Sequence, residues 1–243
     1  ESVYISQIIN LFNQEIGLQF STIANTNIIS EKIETIPSFW YNNTLNYKTF
    51  MVPGILVLLV TMLTLFLSSM NIVREKEIGT LEQINVTPIK KYQFIIGKLF
   101  PFWILGLVIL SIGLLIAKVV FKVPMLGSLG LVYGFTSVYL WVILGIGLFI
   151  SNYTETQQQA MFIAWFFMVI FILMSGLFTP IESMPTWAQN LTYLNPIRYF
   201  VEFIRMVLLK GAGFKEVFNT GIIIFMYALA FNTLAVLSYK KNN

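Results

Sequence analysis

The sequence predicts an all-α integral membrane protein, a helical bundle of about five transmembrane helices with a short re-entrant segment before the last. Composition is the first reason. Hydrophobic residues make up 57% of the 243-residue chain, charged residues only 11%, and mean hydropathy is +0.77. A soluble domain is typically about 25% charged, so this chain is built for lipid. The second reason is the recurrence of uncharged stretches that approach or exceed the roughly 20 residues a spanning helix needs. The 22 Phe, 11 Tyr and 5 Trp supply aromatic belts for both membrane interfaces.

The spans follow in order. Phe50–Ile72 is the first, with Pro53 and Gly54 near its start, where a membrane helix tolerates them. Leu99–Phe121 is the second, with Lys118 placed to snorkel from its final turn. Leu126–Ile150 follows a Lys122-Val123-Pro124 turn, and Ala160–Phe178 follows the polar Ser151–Gln159 loop. Phe218–Tyr239 is the fifth and ends in Lys240-Lys241. Lysine and arginine bias orients the bundle. Arg74, Lys76, Lys90, Lys91, Lys98, Lys240 and Lys241 share one side, read as cytoplasmic together with the C-terminus. Lys118, Lys122, Arg198, Arg205, Lys210 and Lys215 fall on the other.

Residues 1–47 are of another kind, polar and rich in Asn, Gln, Ser and Thr. Ile5, Ile8, Ile9, Phe12 and Ile16 recur at helical spacing, and Asn25–Asn27 and Pro37 interrupt the pattern. With no initiator Met and no signal peptide, this stretch reads as the end of an external domain within a longer protein. Residues 48–243 read as the transmembrane domain.

Two polar patterns stand inside the apolar part. Thr61, Thr64, Ser68 and Asn71 form one stripe on the first span, suited either to bridging a neighbouring helix or to lining a substrate path. Gly130-x-x-x-Gly134 in the third span suits close helix packing. After the fourth span, Pro180, Pro185 and Pro196 forbid one continuous helix. The apolar run Tyr199–Leu209 is too short to span, which favours a re-entrant or interfacial segment. Arg198, Glu202 and Arg205 lie on one stripe there, either a solvated face or a charged rim.

The residue inventory excludes whole classes of function. The chain has no Cys, no His and no Asp. It therefore offers no thiolate or imidazole metal ligand and no His- or Cys-based catalytic pair, and no catalytic or metal-binding residue is expected. No Asp, Glu or His lies mid-span, which argues against an ion-driven carrier. A phosphate-binding Gly-x-x-x-x-Gly-Lys-Ser/Thr loop is also missing, so the chain reads as no ATPase and not an enzyme. The net charge of +4 fits topology-setting loops rather than a nucleic-acid partner. Directional work would need energy from another subunit.

One charged segment stands between the first two spans. It reads Arg74-Glu75-Lys76-Glu77-Ile78-Gly79-Thr80-Leu81-Glu82, then Thr87-Pro88 and Gly97-Lys98-Leu99-Phe100-Pro101. Arg74–Ile84 can form a short helix with Ile78, Leu81 and Ile84 inward and Arg74, Glu75, Lys76, Glu77 and Glu82 outward. Thr87 suits a helix cap, with Pro88 at the first helical position.

This pattern resembles that of type-2 ABC transporter permeases. Phe50–Gly54 at the start of a span, Pro180–Pro185 and Asn195-Pro196 agree in order. Ile84 and Gln93 depart from it, standing where the family has Leu and often an acidic residue. The resemblance implies a permease subunit of an ABC exporter, a dimer with an identical or paralogous copy in a bacterial inner membrane. Residues 74–88 (Arg74, Glu75, Lys76, Glu77, Gly79, Thr80, Leu81, Glu82, Thr87 and Pro88 among them) would be the coupling helix docked on an ABC ATPase subunit. ATP and Mg²⁺ would bind that partner, and this chain would bind no cofactor. Pro180, Glu182, Pro185, Pro196, Arg198, Glu202 and Arg205 would belong to an external gate. A membrane-embedded regulatory subunit that binds the ATPase without passing substrate is the alternative. On this reading Glu82→Lys uncouples transport from ATP hydrolysis while leaving membrane insertion intact; a transport assay beside a membrane-fraction blot checks both.

Overall fold

The computed structural model describes residues 47–80 and 91–238, the side chains of residues 91 and 92 excepted. Ile5–Ile16, Leu81, Glu82, Ile84, Thr87, Pro88 and the Lys240-Lys241 pair lie outside the described residues. Among the described residues every regular element is helical. These are α1 (Tyr47–Ile78), α2 (Lys91–Val119), α3 (Leu129–Asn152), α4 (Gln157–Leu173), a 3-10 turn (Ile181–Ser183), α5 (Thr186–Thr192), α6 (Pro196–Arg205) and α7 (Phe214–Ser238). One π turn, Met206–Lys210, prolongs α6.

Helices α1, α2, α3 and α7 are long and apolar enough to cross a membrane. Their roles differ. About half of the most apolar stretch of α1 and α3 is buried within the chain (50% and 56%), against 22% for α2 and 17% for α7. The first two are therefore interior helices and the other two peripheral. Ile104, Leu105, Val108, Ile112 and Leu115 of α2 are all exposed. Such a continuous apolar face suits lipid and would aggregate in water.

Helix α4 is shorter than the sequence suggested. It has 17 residues, or roughly 25 Å at 1.5 Å per residue, and stops at Leu173 rather than Phe178. The Ser175 hydroxyl donates to the Ile172 carbonyl at 2.6 Å, and Gly176 takes φ +75°. The chain therefore turns before Phe178. Leu177, 2% exposed, comes to lie where a Cβ on Gly54 of α1 would stand.

The prolines of residues 179–196 each start an element, where a missing N–H costs nothing. Pro180 precedes the 3-10 turn, Pro185 precedes α5, and Pro196 is the first residue of α6. Asn195 joins two elements at once. Its Oδ1 accepts from Ile197 N at 3.0 Å, and its Nδ2 donates to the Phe171 carbonyl of α4 at 2.6 Å.

Helix α6 then enters the core. Phe200, Phe203 and Ile204 pack with Leu56, Val57 and Val60 of α1 and with Phe135 and Tyr139 of α3. The Phe135 and Phe203 rings stack at 3.7 Å between centroids; such a pair adds about 1 kcal/mol beyond its buried area. A second cluster, Ile72, Ile95, Leu99, Leu144, Leu148 and Ala235, closes the other end of α1 against α2, α3 and α7.

Close helix approach depends on a different glycine from the one the sequence pointed to. A Cβ on Gly134 would meet no described atom within 4 Å, so the Gly130–Gly134 pair does not bring α3 against another helix at that point. On Gly147 a Cβ would stand 2.7 Å from Ser68 Cβ and 3.1 Å from Ser69 N, on the backbone of α1. Gly147→Ala is accordingly expected to destabilise the bundle by about 1–3 kcal/mol. Gly134→Ala should be neutral or slightly stabilising, by up to about 1 kcal/mol from the helix propensity gained. Unfolding of the two variants in detergent separates these outcomes.

Candidate functional site

The site stands where α1 outruns its apolar stretch. Arg74–Ile78 form no separate helix; they are the last turn and a half of α1. The helix stops at Gly79, whose φ of +80° favours glycine and whose N–H bonds the Lys76 carbonyl at 3.1 Å. Consecutive residues on a helix point about 100° apart. Glu75, Lys76 and Glu77 therefore reach three different neighbours.

Glu75 turns to α2. Its Oε1 accepts from Lys98 Nζ at 2.5 Å, and its Oε2 accepts from the Thr80 hydroxyl. Those two hydrogen bonds hold the Glu75 carboxyl below its ordinary pKa, Lys98 being the larger cause. Lys98 lies on α2 because that helix begins at Lys91, well before the apolar stretch that opens at Leu99.

Lys76 turns to α3. Its ammonium donates to the main-chain carbonyls of Ser151, Asn152 and Thr154 at 2.7, 3.2 and 3.0 Å. Carbonyls at a helix C-terminus lack intrahelical partners and carry the negative end of the dipole. A cation there is worth about 1 kcal/mol. Burial lowers the Lys76 pKa, and Glu155 opposes that shift.

Glu77 turns to α4. Its carboxylate accepts from Gln157 N at 2.8 Å and from the Gln157 side-chain amide. Gln157 is the first residue of α4, and Thr156 beside it accepts from Gln159 N at 3.2 Å. An anion thus meets the positive end of a helix. The same corner reaches α7, because Asn152 Nδ2 donates to the Ala235 carbonyl at 2.9 Å.

The sequence places Arg74, Glu75, Lys76 and Glu77 outward and Ile78 inward. The structure agrees in exposing Arg74 and Glu77 and differs at the other three. Glu75 and Lys76 are partly buried, Glu77 is exposed but bonded to α4, and Ile78 is 62% exposed. Arg74, one turn before Ile78, is exposed as well. The inward partners Lys98, Asn152 and Gln157 were missed as site residues. The hints were Lys98 in the Gly97–Pro101 part of the pattern and the unusual polarity of Ser151–Gln159 between two apolar stretches.

Two residues of the α1 polar stripe, Thr61 and Ser68, bond across the seam to α3. Thr61, Thr64 and Ser68 are at most 1% exposed. The Thr61 hydroxyl shares a 2.7 Å hydrogen bond with the Tyr139 hydroxyl, and Ser68 Oγ donates to the Leu144 carbonyl at 3.1 Å. Asn71 is half-buried. A path along this stripe would require α1 and α3 to part.

At the opposite end of α1 the expected charged stripe divides. Pro180, Glu182, Pro185 and Glu202 are exposed, and Pro196 is buried. Arg198 lies 4.4 Å over the Tyr193 ring and donates to Thr192 Oγ1. Arg205 turns inward, only 8% exposed and 3.7 Å over the Phe50 ring of α1. Its Nη1 faces the Gly176 carbonyl at 3.5 Å. Glu202 is exposed and Arg205 is not, because a cation–π contact and a carbonyl draw that guanidinium into the bundle.

The Thr61–Tyr139 pair gives the seam a measurable energy. Thr61→Val and Tyr139→Phe should be non-additive by about 0.6 kcal/mol, and at most about 1.7, the range of interhelical hydrogen bonds in membranes. A double-mutant cycle of unfolding free energies tests it.

Known proteins share this arrangement of sequence. Residues 2–237 match the family model described as ABC-2 family transporter protein. The chain is 36% identical over 217 residues to the probable multidrug ABC transporter permease YbhR of Escherichia coli, covering 89% of this chain and 57% of that protein. It is 30% identical over 186 residues to the inner membrane transport permease YhhJ of the same organism, covering 75% and 49% respectively. ABC transporter G family member 20 of Dictyostelium discoideum is 26% identical over 242 residues, 98% of this chain and 33% of that protein. The chain thus spans about half the length of the bacterial relatives it matches. A match from residue 2 to residue 237 takes in the Arg74–Thr80 corner and all the spanning helices, and by it the chain belongs to the ABC-2 transporter family.

Proposed function

We propose that this chain is the membrane-spanning part of a permease subunit in an ATP-driven exporter, taking its energy from a separate ABC ATPase subunit. One observation carries the reading: the Arg74–Thr80 motif caps the far end of an interior spanning helix and is wired to α2, α3 and α4. A push on residues 79–90 would act directly on α1 and α2, the two helices they join. ATP and Mg²⁺ would bind the partner. A second copy or a paralogue would complete the transport path, and the end bearing Arg74 and the C-terminus would face the cytoplasm.

The remaining assignments follow from that frame. Residues 1–47 would be the end of an external domain. The Pro180–Arg205 elements would form an external gate, with Arg205 tying them to the start of α1 through Phe50. The name of the YbhR relative makes an apolar or amphipathic organic molecule the first cargo class to try. The apolar, exposed faces of α2 and α7 suit a cargo that enters from lipid. A regulatory subunit that binds the ATPase without passing cargo is the competing reading, and cargo-dependent stimulation of hydrolysis separates the two.

The test is co-purification of the full-length protein with its candidate ATPase, followed by ATP hydrolysis in lipid nanodiscs. Stable association and cargo-stimulated hydrolysis are expected. Failure of the two proteins to associate removes the energy source and with it the exporter reading.

A further inference from the structure

The Arg74–Glu77 run looks like four charges offered to a partner, yet three of them are already engaged within the chain. Glu75 pairs with Lys98 of α2, Lys76 holds three main-chain carbonyls at the end of α3, and Glu77 holds the first N–H of α4. Each sign suits its site. The cation sits on a helix C-terminus and an anion on a helix N-terminus. Exchanging Lys76 with either glutamate would set like against like. The α3 end is tied on to α7 through Asn152 and Ala235, so one helical turn is connected to α4 and, directly or through α3, to the other three long apolar helices.

We propose that Glu75, Lys76 and Glu77 are positioning residues, an internal clamp that makes the end of α1 move together with α2, α3 and α4. Contact with the ATPase then falls to Arg74 and Ile78, which share one exposed face four residues apart, and to the residues that follow. This rests on the coupling reading above and divides its motif into an inward and an outward half. The division has a physical basis. A partner that recruited Lys76 would strip it from three carbonyls that lack intrahelical partners. Arg74 and Ile78 can be covered without breaking any of those bonds.

The test is a charge swap in the full-length protein in lipid nanodiscs: Glu75→Lys, Lys98→Glu and the two together. Amide exchange over residues 94–100 is read without partner, and ATP hydrolysis with the ATPase added. Each single variant should speed exchange about tenfold, as expected for loss of one charge-assisted hydrogen bond, and should uncouple hydrolysis. The double variant should restore both. Single variants with wild-type exchange would show that the pair clamps nothing and would overturn the proposal. Recovery of exchange without recovery of hydrolysis would overturn it too, because Glu75 or Lys98 would then be acting on the partner.

A milder pair guards against misfolding. Lys76→Arg keeps the charge and should keep protection at residues 151–157, whereas Lys76→Met should lose it. If the wild-type protein binds no ATPase, the coupling reading fails, and the exchange data still decide whether the clamp exists.

Discussion

Lipid offers a peptide group no hydrogen-bond partner, so every backbone polar group in the spanning region must be bonded from within. Helices answer this along their length but not at their ends, where four N–H or C=O groups are left over. Much of the specific chemistry in this chain sits at those ends. Lys76 covers the end of α3, Glu77 the start of α4, and Asn195 the start of α6. Each cap comes from or reaches to another element, so satisfying the ends also sets which helices meet.

The interior pair α1 and α3 is held by a different kind of contact. Gly147 lets the backbone of α3 approach Ser68 and Ser69, and Thr61, Ser68 and Tyr139 hydrogen-bond across the gap. Between lipid-bathed helices, apolar burial gives little preference for one partner over another, and small residues with short hydroxyls give much of it. Helices α2 and α7 surround this pair and keep broad apolar faces open to lipid.

Helix α1 links two unlike ends. At one, Phe50 and Gly54 meet Arg205 and Leu177 among short, proline-started elements. At the other, the charged turn after Ile72 meets the first turns of α2, the end of α3 and the start of α4. A continuous interior helix with specific contacts at both ends is a natural lever. Its Pro53 lies close to the start and leaves the helix continuous to Ile78.

Much of this was legible in the sequence. Low charge and long uncharged stretches determine a helical membrane bundle, and the Arg74–Pro101 pattern determines the family, because both are local properties of the chain. Facing was legible only on α1, where the Thr61–Asn71 stripe marks one side. A helix apolar all round carries no such mark, and nothing local said that Thr61 would meet Tyr139. The charges misled for a related reason. Polar residues at the end of a span read as solvent-facing, and only the tertiary structure places helix termini beside Lys76 and Glu77 and an aromatic ring beneath Arg205. Where a charge meets the unpaired groups of another helix, its direction is decided by that neighbour rather than by its own sequence.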